Sequence, residues 1–162
     1  MEKFFPAEKI ILTGNPVREN VLHIEGKRNE AIEFFKLDAG KKTILVIGGS
    51  QGARSINHSL RDGLKKFADK NVQLIWQTGK LFFPDAEKAI ADLKYESIKA
   101  FDFITKMDLA YAAADLIISR AGASTVSEIT LVGKPAVMVP LGSQTGIGCR
   151  LNCVGFCLMS CA

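Results

Sequence analysis

Apolar positions along this chain fall into short runs and helical stripes that alternate. Lys9 to Leu12 reads as a short strand. Residues 28–37 form an amphipathic helical pattern with Ala31, Ile32, Phe35 and also Phe34 turned inward. Thr43 to Ile47 is a continuous apolar, largely β-branched run, as expected of a central strand buried on both faces. A helix follows, with Ile56, Leu60, Leu64 and Phe67 on one stripe. Val72 to Gln77 predicts a strand and Pro84 to Leu93 a helix with proline near its first position. Ile98 to Phe101 is a short strand, Asp102 to Lys106 a loop, and Met107 to Ala114 a helix of small residues. Leu116 to Ser119, Thr125 to Val132 and Ala136 to Val139 then read as strand, helix and strand. This alternation predicts an α/β fold: right-handed crossovers and a Rossmann-like parallel sheet with helices on both faces.

The breaks between the runs carry the candidate chemistry. Thr13-Gly14-Asn15-Pro16 is a dense turn signal, and Pro16 is expected to open a short helical turn carrying Val17 and Arg18. Gly48 to Ala53 (GGSQGA) joins a strand to a helix, with glycines permitting positive φ and Ser50 offering a hydroxyl. It lacks the Gly-Lys-Ser/Thr of a phosphate-binding P-loop, and Ser50 stands where a dinucleotide fingerprint needs its second glycine. On its own it is equally well read as a tight turn that requires small residues. From Ser119 to Pro140 a strand runs into a Gly/Ala/Ser turn, and a helix begins near Ser124 or Thr125 and stops at Gly133. A helix N-terminus at such a turn presents backbone N–H groups and a positive dipole end, which suit a phosphate. Glu128, one turn in, could face a ligand or complete a capping box with Thr125. In parallel sheets ligands bind beyond the carboxyl ends of the strands. Both glycine turns and the Asp102–Lys106 loop are carboxyl-end loops, so all three are expected on one edge.

Composition narrows the setting. The 162 residues, 48% hydrophobic, allow one domain with a proper core. The net charge of +4 comes from scattered lysines without aromatic interleaving, so nucleic acid is not an expected partner. Glu2, Lys3 and Glu8 interrupt any apolar leader, and no run of about 18 apolar residues exists to span a bilayer. A cytoplasmic location is expected. Residues 141–162 contain one charged side chain, Arg150, and all four cysteines, Cys149, Cys153, Cys157 and Cys161. On one helix, at roughly 1.5 Å per residue, the outer two would lie about 18 Å apart. The four could not share a single zinc; two adjacent cysteines sharing a softer site with outside ligands is the lesser alternative, so no metal site is expected, and a disulfide framework does not suit a cytosolic chain. The stretch reads as an atypical, Cys-rich apolar tail. His23 and His58 match no catalytic pattern and read as surface or cap residues.

Four segments together carry a resemblance: TGNPVR (13–18), GGSQGA (48–53), FDFITKMDLAYAAADLIISRAGASTVSEI (101–129) and GKPAVMVP (133–140). They resemble the C-terminal domain of the MurG family, N-acetylglucosamine transferases of bacterial peptidoglycan synthesis. The resemblance implies the C-terminal half of a GT-B glycosyltransferase, two Rossmann-like domains facing across a cleft. That half holds the donor, UDP-GlcNAc, while the N-terminal domain holds the membrane-embedded acceptor, lipid I. By the same resemblance residues 1–12 are linker and first strand, 13–140 an incomplete donor domain, and 141–162 the atypical tail. Arg18 and Ser50 would be donor contacts, with Ser50 near the diphosphate. Ile104 would meet the uracil through its backbone, in an apolar slot beside Phe103. Ala123, Ser124, Thr125, Val126, Ser127 and Glu128 would supply helix-start amides and hydroxyls, with Glu128 accepting from the ribose. The bland alternatives are a surface ion-pair arginine, a core isoleucine, an unliganded turn serine and a capping glutamate.

No cofactor is implied, and the catalytic base is expected in the N-terminal domain, so this chain alone is expected to be inactive. The full-length family is implied to lie peripherally on the cytoplasmic face of the membrane. After Pro140 the family's acidic-His-Gln stretch is not matched. The sequence there has the character of a frameshifted or otherwise aberrant end. Two rival readings are a UDP-sugar epimerase of the same architecture and a non-catalytic remnant that binds nothing tightly.

Overall fold

The computed structural model describes residues 17–49 and 52–140. The expected strand Lys9–Leu12, the turn at residues 13–16 and the tail 141–162 with its cysteines lie outside the described residues. Within them, five strands form one sheet: β1 (Thr43–Ile47), β2 (Gln73–Gln77), β3 (Ile98–Phe101), β4 (Leu116–Arg120) and β5 (Ala136–Val139). Their order is β3-β2-β1-β4-β5 and every pairing is parallel. The helices are α1 (Arg28–Phe35), α2 (Arg54–Asp69), α3 (Phe83–Leu93), α4 (Met107–Ala113) and α5 (Ala123–Val132).

Alternation along each strand divides the core between two faces. Leu45, Ile47, Ile75 and Ile117 point toward Ala31 and Phe35 of α1, the small residues of α4, and Ile129 of α5. Val46, Leu74 and Trp76 point the other way, onto Ile56, Leu60 and Leu64 of α2 and Ala86 of α3. As the unbroken Thr43–Ile47 run predicts, β1 lies at the centre with helices on both sides.

Four local expectations are corrected. Phe34 is 52% exposed, its ring set edge-on against Phe35 at 4.9 Å. Ala31 and Phe35, four apart, define the inward stripe, and a side chain at position 34 falls outside it. The helix also stops at Phe35, because Lys36 turns left-handed (φ 52°) and the Leu37 N–H donates back to Ile32. Arg18 is extended, and the helical turn follows it as a 3-10 turn, Glu19–Leu22, which packs on α4 and α5. Finally, α5 begins at Ala123, because Gly122 takes the extended cap conformation.

The turn between β1 and α2 has little freedom. A Cβ on Gly52 would run into the Thr78 carbonyl oxygen, and one on Gly48 into the Ala53 backbone nitrogen. Gly52 also holds φ +75°, a region that costs other residues strain. Asn57 anchors the start of α2, donating to the same Thr78 carbonyl (2.7 Å) and accepting from the Trp76 indole (3.0 Å). At the opposite, amino edge, Asp115 accepts from the Thr43 N–H (2.8 Å) and from Arg28 (3.2 Å), with Lys42 at 3.4 Å. Burial alone would raise the Asp115 carboxyl. The Thr43 amide and the two cations outweigh it and hold the group below its ordinary value of 3.8.

Two outcomes are expected. Gly52→Ala destabilises the chain by at least about 1–3 kcal/mol, read as a fall in the urea midpoint; an unchanged midpoint would show that the turn has slack. A carboxyl depressed by folding contributes stability above its unfolded pKa and loses it as pH falls through the folded one. Urea melts of the wild-type chain should therefore weaken as pH drops below the carboxylate range. Those of Asp115→Asn start lower at about pH 7 and converge with wild type in acid. Curves that stay parallel would contradict this role.

Candidate functional site

Parallel pairing sets β1 between β2 and β4, with Ile47 opposite Gln77 on one side and Ser119 on the other. Each of these strands is followed by a turn or loop, so the chain leaves the sheet repeatedly along one rim. There lies a cavity of about 310 Å³. Ile47, Gly49 and Gln77 form its floor, Met107 and Tyr111 of α4 one wall, and Ser124, Thr125 and Glu128 of α5 another. Phe103, 43% exposed, and Arg18 stand at its mouth.

A larger groove of about 630 Å³ runs along α2, over Ile44, Ile118 and Val139. Its surface is mostly apolar, from residues such as Ile56, Leu60 and Phe67 of α2, although Ser55, Ser59, Lys66 and Lys70 also line it. The smaller cavity is the better candidate for chemistry, because charged, amide and hydroxyl groups meet in it beside a helix start.

Glu128 is the buried charge of the site, 8% exposed. One carboxylate oxygen accepts the Tyr111 hydroxyl at 3.0 Å, and the other lies 3.6 Å from Arg18 Nε. Tyr111 is fully buried, and burial, followed by the Glu128 charge and the hydrogen bond to it, pushes its phenol well above the ordinary value; Arg18 opposes this. The phenol therefore remains a proton donor to Glu128 throughout the neutral range. Because Gly122 is the cap of α5, Thr125 is the third helical residue and Glu128 stands in the second turn. The capping-box alternative for Thr125 and Glu128 is thereby removed.

The expected site residues are distributed unevenly. Arg18, Ser124, Thr125 and Glu128 meet in the cavity. Val126 is 39% exposed, and the Ser127 hydroxyl donates to the Ala123 carbonyl at 3.1 Å, within the helix. Ile104 is a core residue by its side chain, and its N–H donates to Gln77 Oε1 at 3.0 Å. Ser50 lies outside the described residues, though its neighbours Gly49 and Gly52 bound the same turn, the Gly52 N–H donating to the Gly49 carbonyl at 3.1 Å. Arg120, at the tip of β4, donates to Ser55 of α2 and to the Pro140 carbonyl, tying the rim together.

Two residues of the site escaped the sequence reading. Tyr111 carries no signal, since it falls among the small residues of α4 and only the packing turns it toward α5. Gln77 does carry one: it is a polar residue ending an otherwise apolar strand, at the carboxyl end where ligands bind.

Comparison with known proteins supplies the family. The family model described as the glycosyltransferase family 28 C-terminal domain matches residues 43–152. A UDP-N-acetylglucosamine–N-acetylmuramyl-(pentapeptide) pyrophosphoryl-undecaprenol N-acetylglucosamine transferase of Parabacteroides distasonis is 55% identical over 140 residues, covering 86% of this chain and 38% of that protein. The enzyme of the same description from Flavobacterium psychrophilum is 53% identical, covering 86% and 37%. This chain thus spans less than two fifths of the length of these curated relatives. The crystal structure of Acinetobacter baumannii MurG superposes with a TM-score of 0.61 at 33% identity, covering 75% of this chain and 34% of that one. The chain belongs to glycosyltransferase family 28, and the part of that family it matches is the C-terminal domain.

Proposed function

We propose that this chain binds UDP-GlcNAc as the donor half of an inverting transferase that adds GlcNAc to lipid I, making lipid II in peptidoglycan synthesis. The observation that supports this most is the convergence of the Gly49 turn, the first turn of α5 and the Arg18–Glu128 pair on one rim cavity. A diphosphate suits the small-residue turn and the α5 start, where dipole and amides favour negative charge. Uracil fits beside the exposed Phe103. Because the Ile104 N–H is engaged by Gln77, a backbone contact to the base would come from the Ile104 carbonyl. Glu128, held by Tyr111, offers acceptor lone pairs to ribose hydroxyls, and Arg18 is within reach to exchange its carboxylate partner for a phosphate.

In such a transfer the departing UDP gains charge as the glycosidic bond breaks. Helix-start amides would stabilise that charge without reorganisation, and Arg18 would add to them once it exchanges Glu128 for the phosphate. The base that takes the acceptor proton, and the surface that meets lipid I, are assigned to the part of the relatives' length this chain does not span. Turnover is therefore expected only when that part is supplied. Peripheral action on the cytoplasmic face is part of this reading; among the described residues no helix is long and apolar enough to cross a membrane.

Calorimetric titration tests the reading. UDP and UDP-GlcNAc are expected to bind and a nicotinamide dinucleotide to give no heat. Removing a carboxylate that accepts hydrogen bonds from the ribose, as in Glu128→Ala, should weaken UDP by about 10–100-fold. No heat from either uridine ligand would overturn the proposal.

A further inference from the structure

Gln77 ends β2 and is only 3% exposed. A buried primary amide needs partners for both its ends. Its Nε2 donates to the Gly49 carbonyl at 2.9 Å, and its Oε1 accepts the Ile104 N–H at 3.0 Å. One partner is a carbonyl and the other an N–H, so the amide has a single satisfying orientation. Gly49 belongs to the turn after β1 and Ile104 to the loop after β3, and these strands flank β2 on either side. One side chain therefore clasps two loops that are remote in sequence, and Gly49, Gln77 and Phe103 all line the rim cavity.

From this geometry we infer that Gln77 is a positioning residue that sets the separation between the glycine turn and the Phe103–Ile104 loop. It thereby acts as a ruler for the ligand: a nucleobase at one loop and a diphosphate at the other must be spaced to match. This rests on the donor-site reading above. A ligand carrying both groups on one ribose gains from engaging the second loop without a second encounter, and that gain vanishes when the spacing is wrong. Uridine lacks the diphosphate: it reaches the base loop and Glu128 but not the Gly49 turn, and so does not sense the spacing. A purely structural role for Gln77 would weaken both ligands alike.

The test compares uridine with UDP, titrated into the 162-residue chain and followed by amide chemical shifts. In the wild-type chain, UDP is expected to bind more tightly than uridine by a definite factor. Gln77→Met, of similar length but without either hydrogen bond, should reduce that factor by about tenfold while uridine changes by less than about threefold. Gln77→Asn, uncharged and one methylene shorter, cannot hold both Gly49 and Ile104 at their present separation. It should reduce the factor as well, and it decides the matter if the methionine variant does not fold. Equal weakening of both ligands, or no change in the factor, overturns the ruler and leaves the donor site standing. A wild-type chain that binds neither ligand overturns the donor-site reading itself.

Discussion

The parallel pairing of β1 with β4 is the constraint on which the site depends. Because Ile47 lies opposite Ser119, the two strands end together, and the turns that follow them leave the sheet side by side. An antiparallel pairing would put those turns at opposite edges. A slip of one residue would turn the alternating core positions Leu45 and Ile117 onto the wrong face. Burial of those alternating residues in two separate cores makes either alternative costly, so the hydrophobic core itself fixes the register that brings the turns together.

On this rigid edge the polar groups form a connected set. Asn57 and Gly52 press the start of α2 onto the end of β2, and Arg120 bridges α2 and the end of β5. Tyr111 holds Glu128 from inside while Arg18 meets it from the mouth. Each contact joins residues far apart in sequence. The amino edge differs in kind: Asp115, Thr43, Arg28 and Lys42 form a tie between α1 and the sheet.

Much of this was legible in the chain. The TILVI run, the helical stripe of Ile56, Leu60 and Leu64, and the alternation of strand and helix lead directly to a parallel sheet with its central strand named. The placing of both glycine turns at one edge follows from topology alone. What escaped were matters that local pattern cannot encode. Phe34 and Phe35 are equally apolar, and only packing against the sheet chooses between them. Serine and threonine outrank glycine as helix caps, so the start of α5 was expected too late; the extended backbone at Gly122 decides it. Tyr111 and Gln77 join the site through contacts with residues 17 to 28 positions away, which no window of periodicity reports.

The family model matches this chain to a C-terminal domain, and the curated relatives are longer enzymes; the claim proposed for the chain itself is narrower. It says that one rim of a parallel sheet, built by two turns and a loop, holds a uridine diphosphate. The most direct measurement is a map of backbone amide shifts during titration with UDP. The account predicts that the largest changes cluster at Gly49, Gly52, Phe103, Ile104, Ser124 and Thr125, with the amino-edge residues Thr43 and Asp115 unmoved. Changes centred instead on the apolar groove along α2, or spread evenly over the domain, would contradict it.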